Sequence, residues 1–571
     1  MYNYFRKKMR LISVKKERNN TLADNHNLEF LPYKDIIIRS ILAKIEKQNI
    51  KIKEDTLGNL FEAFIGKEEK KGLGQFYTPK EIVEYIINFL NIKPSSKVLD
   101  PTCGCGVFLV TAFNFLKRLN QKCLSNIYGV DLNETAVKIA RINLWLQNGK
   151  TNESLKIIEK NIKVGNSIVE DKRIDSFAFD YKEEFPEVFK DGGFDFIIGN
   201  PPYITLRKGK DYNPKESLFS KITNGNVNAA SLVIIKSFQL LKNGGIMAFV
   251  LPKTLARVNS YLKLRNFVLE NCKILHIYDL GNFFKGVKGE QIIIFIQKTN
   301  NKEEIVLNKI LIKIYKDKDK SLVAQEEFWV PQELFFRYNN FLMFEKQEYY
   351  DLIEKIDEQG EKLGNLCDIF RGVPISPKSP VILRSGIENS KPIIKGKDIS
   401  KFSYKVNYFI NLNEIHKNFN MKKFERTKII LQNIFSSEAG IIAAIDESGN
   451  INFDTVTNIV VRDKSLDEKY LLGLLNSKLI NFFLIYAIYN KSKVTMHTDK
   501  IYLAKIPIKS VPKEKQEEVI ALVDRLIRIK EKKKLLKKLD NLIYEIYNVG
   551  EKERNLIEEA LLKIMSKKSI W

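Results

Sequence analysis

Residues 97–106 read KVLDPTCGCG, and residues 107–119 continue VFLVTAFNFLKRL. A short apolar strand ending in Asp100, a small glycine-rich turn and a helical stretch follow one another, the order in which α/β proteins build a ligand loop at the edge of a parallel sheet. Residues 127–133, IYGVDLN, repeat the pattern of strand and terminal acid with Asp131, whose carboxylate can accept hydrogen bonds from both hydroxyls of a ribose. A dinucleotide cradle is disfavoured. Gly104 and Gly106 supply G-x-G, but Leu109 stands where G-x-G-x-x-G requires its third glycine. Asp100 would also repel a pyrophosphate, whereas it could receive a cationic or amino group. By itself such a turn equally suits tight strand-to-helix packing.

Residues 194–199, FDFIIG, form a second apolar run with Asp195 as its only charge, and Asn200, Pro201, Pro202 and Tyr203 follow it. The tetrad therefore falls in the loop at the C-terminal end of a buried strand. Asn200 offers a side-chain carbonyl, Pro201 a main-chain carbonyl, the two prolines stiffness, and Tyr203 a ring face for stacking. Together they form a socket for a planar amino group. In isolation Asn-Pro-Pro also reads as a rigid turn, and the strand, loop and helix upstream favour the socket.

With these motifs in this order, the chain resembles the S-adenosylmethionine-dependent amino-methyltransferases, and specifically the N6-adenine DNA methyltransferases of restriction-modification type. Residues 74–83, GQFYTPKEIV, look like the family's segment before the glycine loop, which implies that Tyr77, Thr78 and Pro79 touch the methionine part of the cofactor. The loop residues Asp100, Pro101, Thr102, Gly104 and Gly106 resemble D-P-x-x-G-x-G, with Asp131 and Leu132 in the ribose position. Residues 165–167 resemble the motif beside the cofactor's adenine. Many relatives have Asp there, so either Asn166 or Ser167 takes that place. Asn200, Pro201, Pro202 and Tyr203 resemble the catalytic tetrad. Cofactor segments first, tetrad next and a recognition region last is similar to the gamma arrangement.

The resemblance implies a chemistry. An exocyclic adenine amine is a poor nucleophile because its lone pair is delocalised into the ring. The Asn200 side-chain oxygen and the Pro201 carbonyl would each accept one N–H and leave the lone pair aimed at the methyl sulfonium. A base inside a duplex cannot reach such a socket, so the adenine must flip out, with Tyr203 replacing part of its stacking. A second aromatic comes from residues 282–286, NFFKG, where Phe283 fits the family's edge contact better than Phe284. Two core phenylalanines closing a hairpin is the alternative.

The chain has 571 residues, enough for two or three cores, and its 44% hydrophobic and 29% charged content is that of a globular protein. A net charge of +25 favours a polyanionic partner, although a lysine-rich composition accounts for part of the excess. Five cysteines, at 103, 105, 123, 272 and 367, match no metal-ligand spacing and no disulfide framework, and no metal is expected. The longest apolar run, 482–489, is too short to cross a bilayer, which with the cysteine usage points to the cytoplasm and away from membranes.

The expected fold class is α/β: a doubly wound, Rossmann-like methyltransferase sheet with an N-terminal helical cap and a C-terminal α+β target-recognition domain. Residues 1–70 read as the cap and 71–300 as the catalytic domain, with strands expected at VLD, YGVD, 155–164, FDFIIGN, GGIMAFVLP, ILHIYDL and EQIIIFIQ. Residues 301–360 read as a polar connector able to carry irregular strands, with a helical stretch at 345–359. Residues 361–510 resemble the target-recognition domains of such enzymes, with Arg371, Lys395, Lys397, Lys428 and Lys493 as candidates for phosphate or base contact. Residues 511–571 read as helices, a pair folding back on the recognition domain before a dimerising coiled coil. Double-stranded DNA is the expected partner, a cognate restriction endonuclease a further one, and a monomer is favoured over a dimer.

Three rival functions remain open. A protein-glutamine or RNA amino-methyltransferase would use the same tetrad, and the long basic C-terminal half argues against the glutamine version. A fused restriction enzyme would need a nuclease site, for which Asp55, Glu68 and Lys70 have the formal spacing but sit in a helical pattern instead of on adjacent strands. A non-enzymatic DNA-binding module is disfavoured because loop, ribose acid and tetrad are all intact.

Overall fold

The computed structural model describes residues 78–119, 123–148, 151–207, 227–284, 289–315, 326–414, 421–436, 439–491, 496–529 and 531–564, together with Gly58 and Phe219. The expected cap, with Asp55, Glu68 and Lys70, and also Tyr77 and Lys493, lie outside the described residues. The chain divides into two compact units, Met1–Met343 and Phe344–Trp571.

The first unit is built on nine strands: β1 (Val98–Asp100), β2 (Ile127–Asp131), β3 (Ile162–Val164), β4 (Phe194–Gly199), β5 (Leu241–Pro252), β6 (Cys272–Gly281), β7 (Gln291–Lys298), β8 (Lys309–Ile314) and β9 (Glu326–Pro331). They lie in the order β9-β8-β6-β7-β5-β4-β1-β2-β3. β1 pairs in parallel with β2 and β4, β2 with β3, and β4 with β5. β7 runs antiparallel between β5 and β6. This is the doubly wound, mostly parallel sheet expected from the sequence. β1 and β2 are buried along their whole length, which is why they read as unbroken apolar runs and not as alternating ones.

Helix α1 (Lys80–Leu90) buries Ile82, Val83, Ile86, Ile87 and Leu90 on one face, each worth roughly 1.5–3 kcal/mol when taken fully from water. Helix α2 (Val107–Leu119) follows the glycine loop and packs Phe108, Leu109, Phe113 and Leu116 into the same core. Helix α3 (Glu134–Gln147) starts where Asn133 accepts hydrogen bonds from the amides of Thr135 and Ala136. These caps fix where each strand stops and its loop begins.

Two expectations for this unit need correction. Residues 155–164 are chiefly helical: α4 spans Asn152–Asn161, capped by Thr151, and only its last neighbours form β3. The strands of the connector expected at 301–360 are regular members of this sheet and not irregular ones. Residues 309–314, KILIKI, bury Ile310, Ile312 and Ile314 and form β8, parallel to β6, with β9 antiparallel beyond it. Isoleucine at every second position makes a half-buried strand, but the charged residues 302–304 and 316–320 on either side hide so short a run in a polar stretch.

In the second unit, helix α5 (Gln347–Glu358) precedes a four-stranded antiparallel sheet of β10 (Cys367–Arg371), β11 (Lys428–Gln432), β12 (Ala443–Asp446) and β13 (Val456–Val461), in the order β10-β13-β11-β12. Helices α6 (Glu468–Asn476) and α7 (Lys478–Phe483) follow it. The C-terminal region forms three helices instead of a pair: α8 (Lys513–Arg528), α9 (Lys533–Ile546) and α10 (Glu551–Ile564). A Cβ at Gly473 of α6 would lie 2.8 Å from Val519 Cγ1, so α6 and α8 cross at close range. Val519, Val523 and Leu526 are fully buried within the unit, which leaves that face unavailable for a coiled coil. Among the described residues no single helix is long and apolar enough to cross a membrane.

Candidate active site

β1 and β4 are sheet neighbours, with Val98 opposite Phe196 and Leu99 opposite Ile197, so Asp100 and Asn200 leave adjacent strands at the same edge. The approach is tight: a Cβ at Gly199 would lie 2.8 Å from Asp100 Oδ1. Asp131 ends β2 on the other side of β1. Asp100, Asp131 and Asn200 therefore converge at the C-terminal ends of three neighbouring strands, where open α/β sheets bind ligands.

The loop between Asp100 and α2 is held by its own backbone. Asp100 Oδ1 accepts from the Thr102 amide at 3.0 Å, and Asp131 accepts from the amides of Gly104 at 2.9 Å and Asn133 at 2.8 Å. Gly104 (φ +51°) and Gly106 (φ +85°) adopt left-handed conformations. At Gly106 a Cβ would also fall 2.9 Å from Ala140 Cβ, so this glycine lets the loop rest on α3. Pro101 is buried within the turn and Leu132 is half-buried after β2. Burial pushes the Cys103 thiol well up, with Asp131 and Asp100 adding to the effect, which keeps it protonated.

Burial raises the Asp100 carboxyl well above the usual carboxylate range. The Thr102 amide opposes the shift and Asp131 adds to it. Burial likewise raises Asp131 against the amides of Asn133, Gly104 and Leu132. Among the described residues no lysine or arginine pairs with either acid. Thr102 Oγ1 is buried without a partner. Two buried acids lacking a cation, beside an unused hydroxyl, suit a ligand that brings positive charge and hydroxyl donors. A sulfonium nucleoside such as S-adenosylmethionine fits that description.

At the head of the tetrad, Asn200 Nδ2 donates to Thr78 Oγ1 at 3.1 Å. Thr78 is buried just ahead of α1, and Pro79 caps that helix through its carbonyl. The Thr78 hydroxyl, by accepting this bond, fixes the orientation of the Asn200 amide. The Tyr203 hydroxyl lies 2.7 Å from Asn200 Oδ1 and 2.9 Å from the Val250 carbonyl of β5. Burial, with Tyr261 adding, pushes this hydroxyl well up, so it remains a donor. Pro201 is buried, Pro202 half-buried, and among the described residues no donor bonds the Pro201 carbonyl.

Other candidates fall at different distances from this centre. Asn166 donates to Asp175 Oδ2 at 2.7 Å and accepts from the Ile168 amide at 3.2 Å, so its carboxamide is consumed in its own turn. Ser167 is buried beside it. Phe283 follows β6 half-buried, edge-on to Tyr315 at 5.2 Å, while Phe284 belongs to the core. Sequence reasoning missed Lys253, which follows β5 and pairs with Asp279 at 2.5 Å and Glu290 at 3.5 Å, tying the ends of β5 and β6 together. A lysine directly after GGIMAFVLP and an acid ending ILHIYD were the available signals.

In the second unit, Arg371 ends β10 half-exposed, Lys395 is half-buried and Lys397 is exposed. Lys428 cannot contact DNA as expected. It is fully buried on β11 and pairs at 2.6 Å with Asp446, which is equally buried.

Comparison with known proteins accords with this architecture. Residues 125–284 match the Eco57I restriction-modification methylase family model and residues 391–508 the TaqI-like C-terminal specificity domain. Residues 78–167 also match the rRNA methyltransferase AviRa model. The type II methyltransferase M.VspI of Vibrio sp. (strain 343) is 30% identical over 271 residues, 47% of this chain and 57% of that protein. The type II restriction enzyme and methyltransferase RM.Eco57I of Escherichia coli is 26% identical over 322 residues, 43% of this chain and 32% of that protein. The solved DNA complex of the type IIL restriction-modification enzyme MmeI superposes with a TM-score of 0.49 at 13% identity, covering 92% of this chain and 78% of that one. The chain spans about half the length, or less, of the curated relatives it matches.

The fold and the loop define a class, the α/β methyltransferases. Within it, residues 125–284 are similar to the Eco57I restriction-modification methylases and residues 391–508 to the TaqI-like C-terminal specificity domain.

Proposed function

We propose that the chain transfers a methyl group from S-adenosylmethionine to N6 of an adenine flipped out of double-stranded DNA. The observation that carries this reading is the position of Asn200 and Pro201: two carbonyl acceptors at the end of β4, one strand from the buried Asp100 at the end of β1 and two from Asp131 at the end of β2.

The cofactor supplies the methyl group and the positive charge that activates it. Asp131 would hold the ribose, Asp100 and Thr102 would line the loop that receives the charged end, and the left-handed Gly104 and Gly106 allow the backbone to curl around it. Asn200 Oδ1 and the Pro201 carbonyl would each accept one N–H of the amine and leave its lone pair directed outward. Oδ1 has two lone pairs, so it can keep the Tyr203 bond while accepting from the base. No separate base is needed before transfer, because the methylated, cationic nitrogen loses its proton readily. Tyr203 and the half-exposed Phe283 offer the ring faces and edges for an extruded base.

Labelled methyl transfer, offered in parallel to duplex DNA, ribosomal RNA and protein, tests the reading. Label is expected in DNA, on N6 of adenine. Asn200→Ala should abolish it while cofactor and DNA binding persist, and Asp131→Ala should weaken cofactor binding instead. Near-normal turnover by Asn200→Ala, or label only in RNA or protein, would overturn the assignment.

A further inference from the structure

We propose that Arg371 reads a guanine in the major groove of the recognition sequence, and that Asp499 and Asn433 are the residues that position it. The proposal rests on duplex DNA being the substrate. It concerns the second unit alone.

A guanidinium has a side edge, made of Nε–H and one Nη2 proton, and an end edge, made of Nη1 and the other Nη2 proton. Arg371 Nε pairs with Asp499 Oδ1 at 3.0 Å, and Nη2 donates to Asn433 Oδ1. Both bonds fall on the side edge. The end edge has no partner among the described residues, and the side chain is 48% exposed. Two parallel donors presented end-on match two adjacent acceptors. In the major groove only guanine offers such a pair, O6 and N7. A phosphate would be served as well by a mobile lysine, such as the exposed Lys397.

The support beneath the arginine argues that its direction matters. Asn433 is buried, donates from Nδ2 to Thr457 Oγ1 at 2.9 Å and to Asp499 Oδ1 at 3.2 Å, and lies 3.3 Å from His497 Nδ1. Thr498 Oγ1 donates to Thr457 Oγ1 at 2.9 Å, and both threonines are buried. Burying this chain of polar groups costs free energy, and a half-exposed ion pair returns little of it. Fixing a guanidinium so that its end edge cannot wander is the gain that such a network provides. Asn433, His497 and Asp499 all fall inside the segment that matches a specificity domain, while Arg371 precedes it.

The test is selection of bound sequences from a randomised duplex pool by the full chain, with methylation of the same pool measured separately. The wild-type protein should enrich sites with an obligatory G at one position. Arg371→Ala should lose about tenfold or more of the preference at that position and leave the others intact. Arg371→Lys, which keeps the charge, should lose it too, and Asp499→Asn should weaken it. The slope of log affinity against log salt should stay at the wild-type value in Arg371→Ala. An unchanged motif with a slope reduced by about one would make Arg371 a phosphate contact and overturn the proposal, as would a wild-type motif without G. Melting curves of the lysine variant guard against misfolding. Enrichment without methylation would leave the arginine reading intact and sink the proposed reaction instead.

Discussion

The Tyr203 hydroxyl stands 2.7 Å from Asn200 Oδ1, the oxygen assigned to the substrate amine, and 2.9 Å from the carbonyl of Val250 on the neighbouring strand. The tyrosine is thus bonded to the group it would work beside, and Thr78 holds the nitrogen of the same amide at 3.1 Å. Between them these bonds decide which way the Asn200 carboxamide faces.

Tyr203→Phe separates the hydroxyl from the ring. Losing one neutral hydrogen bond of about 1 kcal/mol should lower kcat about five- to tenfold with KM for DNA nearly unchanged. Tyr203→Ala should raise KM as well, because the ring is lost. Steady-state methylation kinetics of both variants check this, and equal effects from both would deny the hydroxyl any separate role.

The two loop glycines should not respond alike to alanine. Both have positive φ, but a Cβ at Gly104 meets nothing within 4 Å, whereas at Gly106 it falls 2.9 Å from Ala140 Cβ. Gly104→Ala should cost about 1 kcal/mol of backbone strain, and Gly106→Ala about 2–3 kcal/mol together with a larger loss of cofactor affinity. Thermal melting and cofactor titration of the pair read the difference.

Lys428→Met should destabilise the second unit by about 3–5 kcal/mol, because it strands a fully buried Asp446 carboxylate. Adding Asp446→Asn should restore part of that loss by removing the uncompensated charge. DNA affinity per folded molecule should not change, as expected of a lysine that donates to Asp446 and the Phe424 carbonyl inside the fold. Urea unfolding and DNA titration together decide it.

His276 gives the first unit a predictable acid sensitivity. It is buried on β6, faces the Tyr85 hydroxyl through Nε2 at 2.7 Å and the Leu311 carbonyl through Nδ1 at 2.8 Å, an arrangement suited to the neutral ring with its proton on Nδ1. Burial lowers its pKa to about 4 from 6.5. Below pH 6.5 the unfolded chain binds a proton that the folded chain refuses, so stability present above that pH is lost as pH falls towards 4. The loss approaches about 3 kcal/mol at roughly 1.4 kcal/mol per unit. His276→Gln should start less stable at pH 7 and show a flatter decline in melting temperature down to pH 4.5. Parallel curves would assign the acid sensitivity to other groups.

What could be read from the sequence followed from how each element is buried. β1, β2 and β4 announce themselves because their apolar runs end in Asp100, Asp131 and Asn200. β8 does not, since alternating Ile310, Ile312 and Ile314 with lysine and leucine resembles a solvated linker until a neighbouring strand is known. Lys428 looks like any surface lysine because its partner, Asp446, is brought to it only by the β11–β12 pairing. The acids and carbonyls of the site were legible for the same reason as their strands. The bonds that aim Asn200 and Tyr203, to the Thr78 hydroxyl and to the Val250 carbonyl, join segments far apart in the chain and depend on which strands lie side by side.

The sheet of the first unit also has two rims. One is β3, three residues long, and the other is β9, which carries Glu326 and Glu327 and stops at Pro331. A rim that short, or one bearing paired negative charges and closed by a residue without an amide proton, is a poor template for another strand. Among the described residues, neither rim of the nine-stranded sheet offers a long, uncharged edge on which a strand of another molecule could extend it.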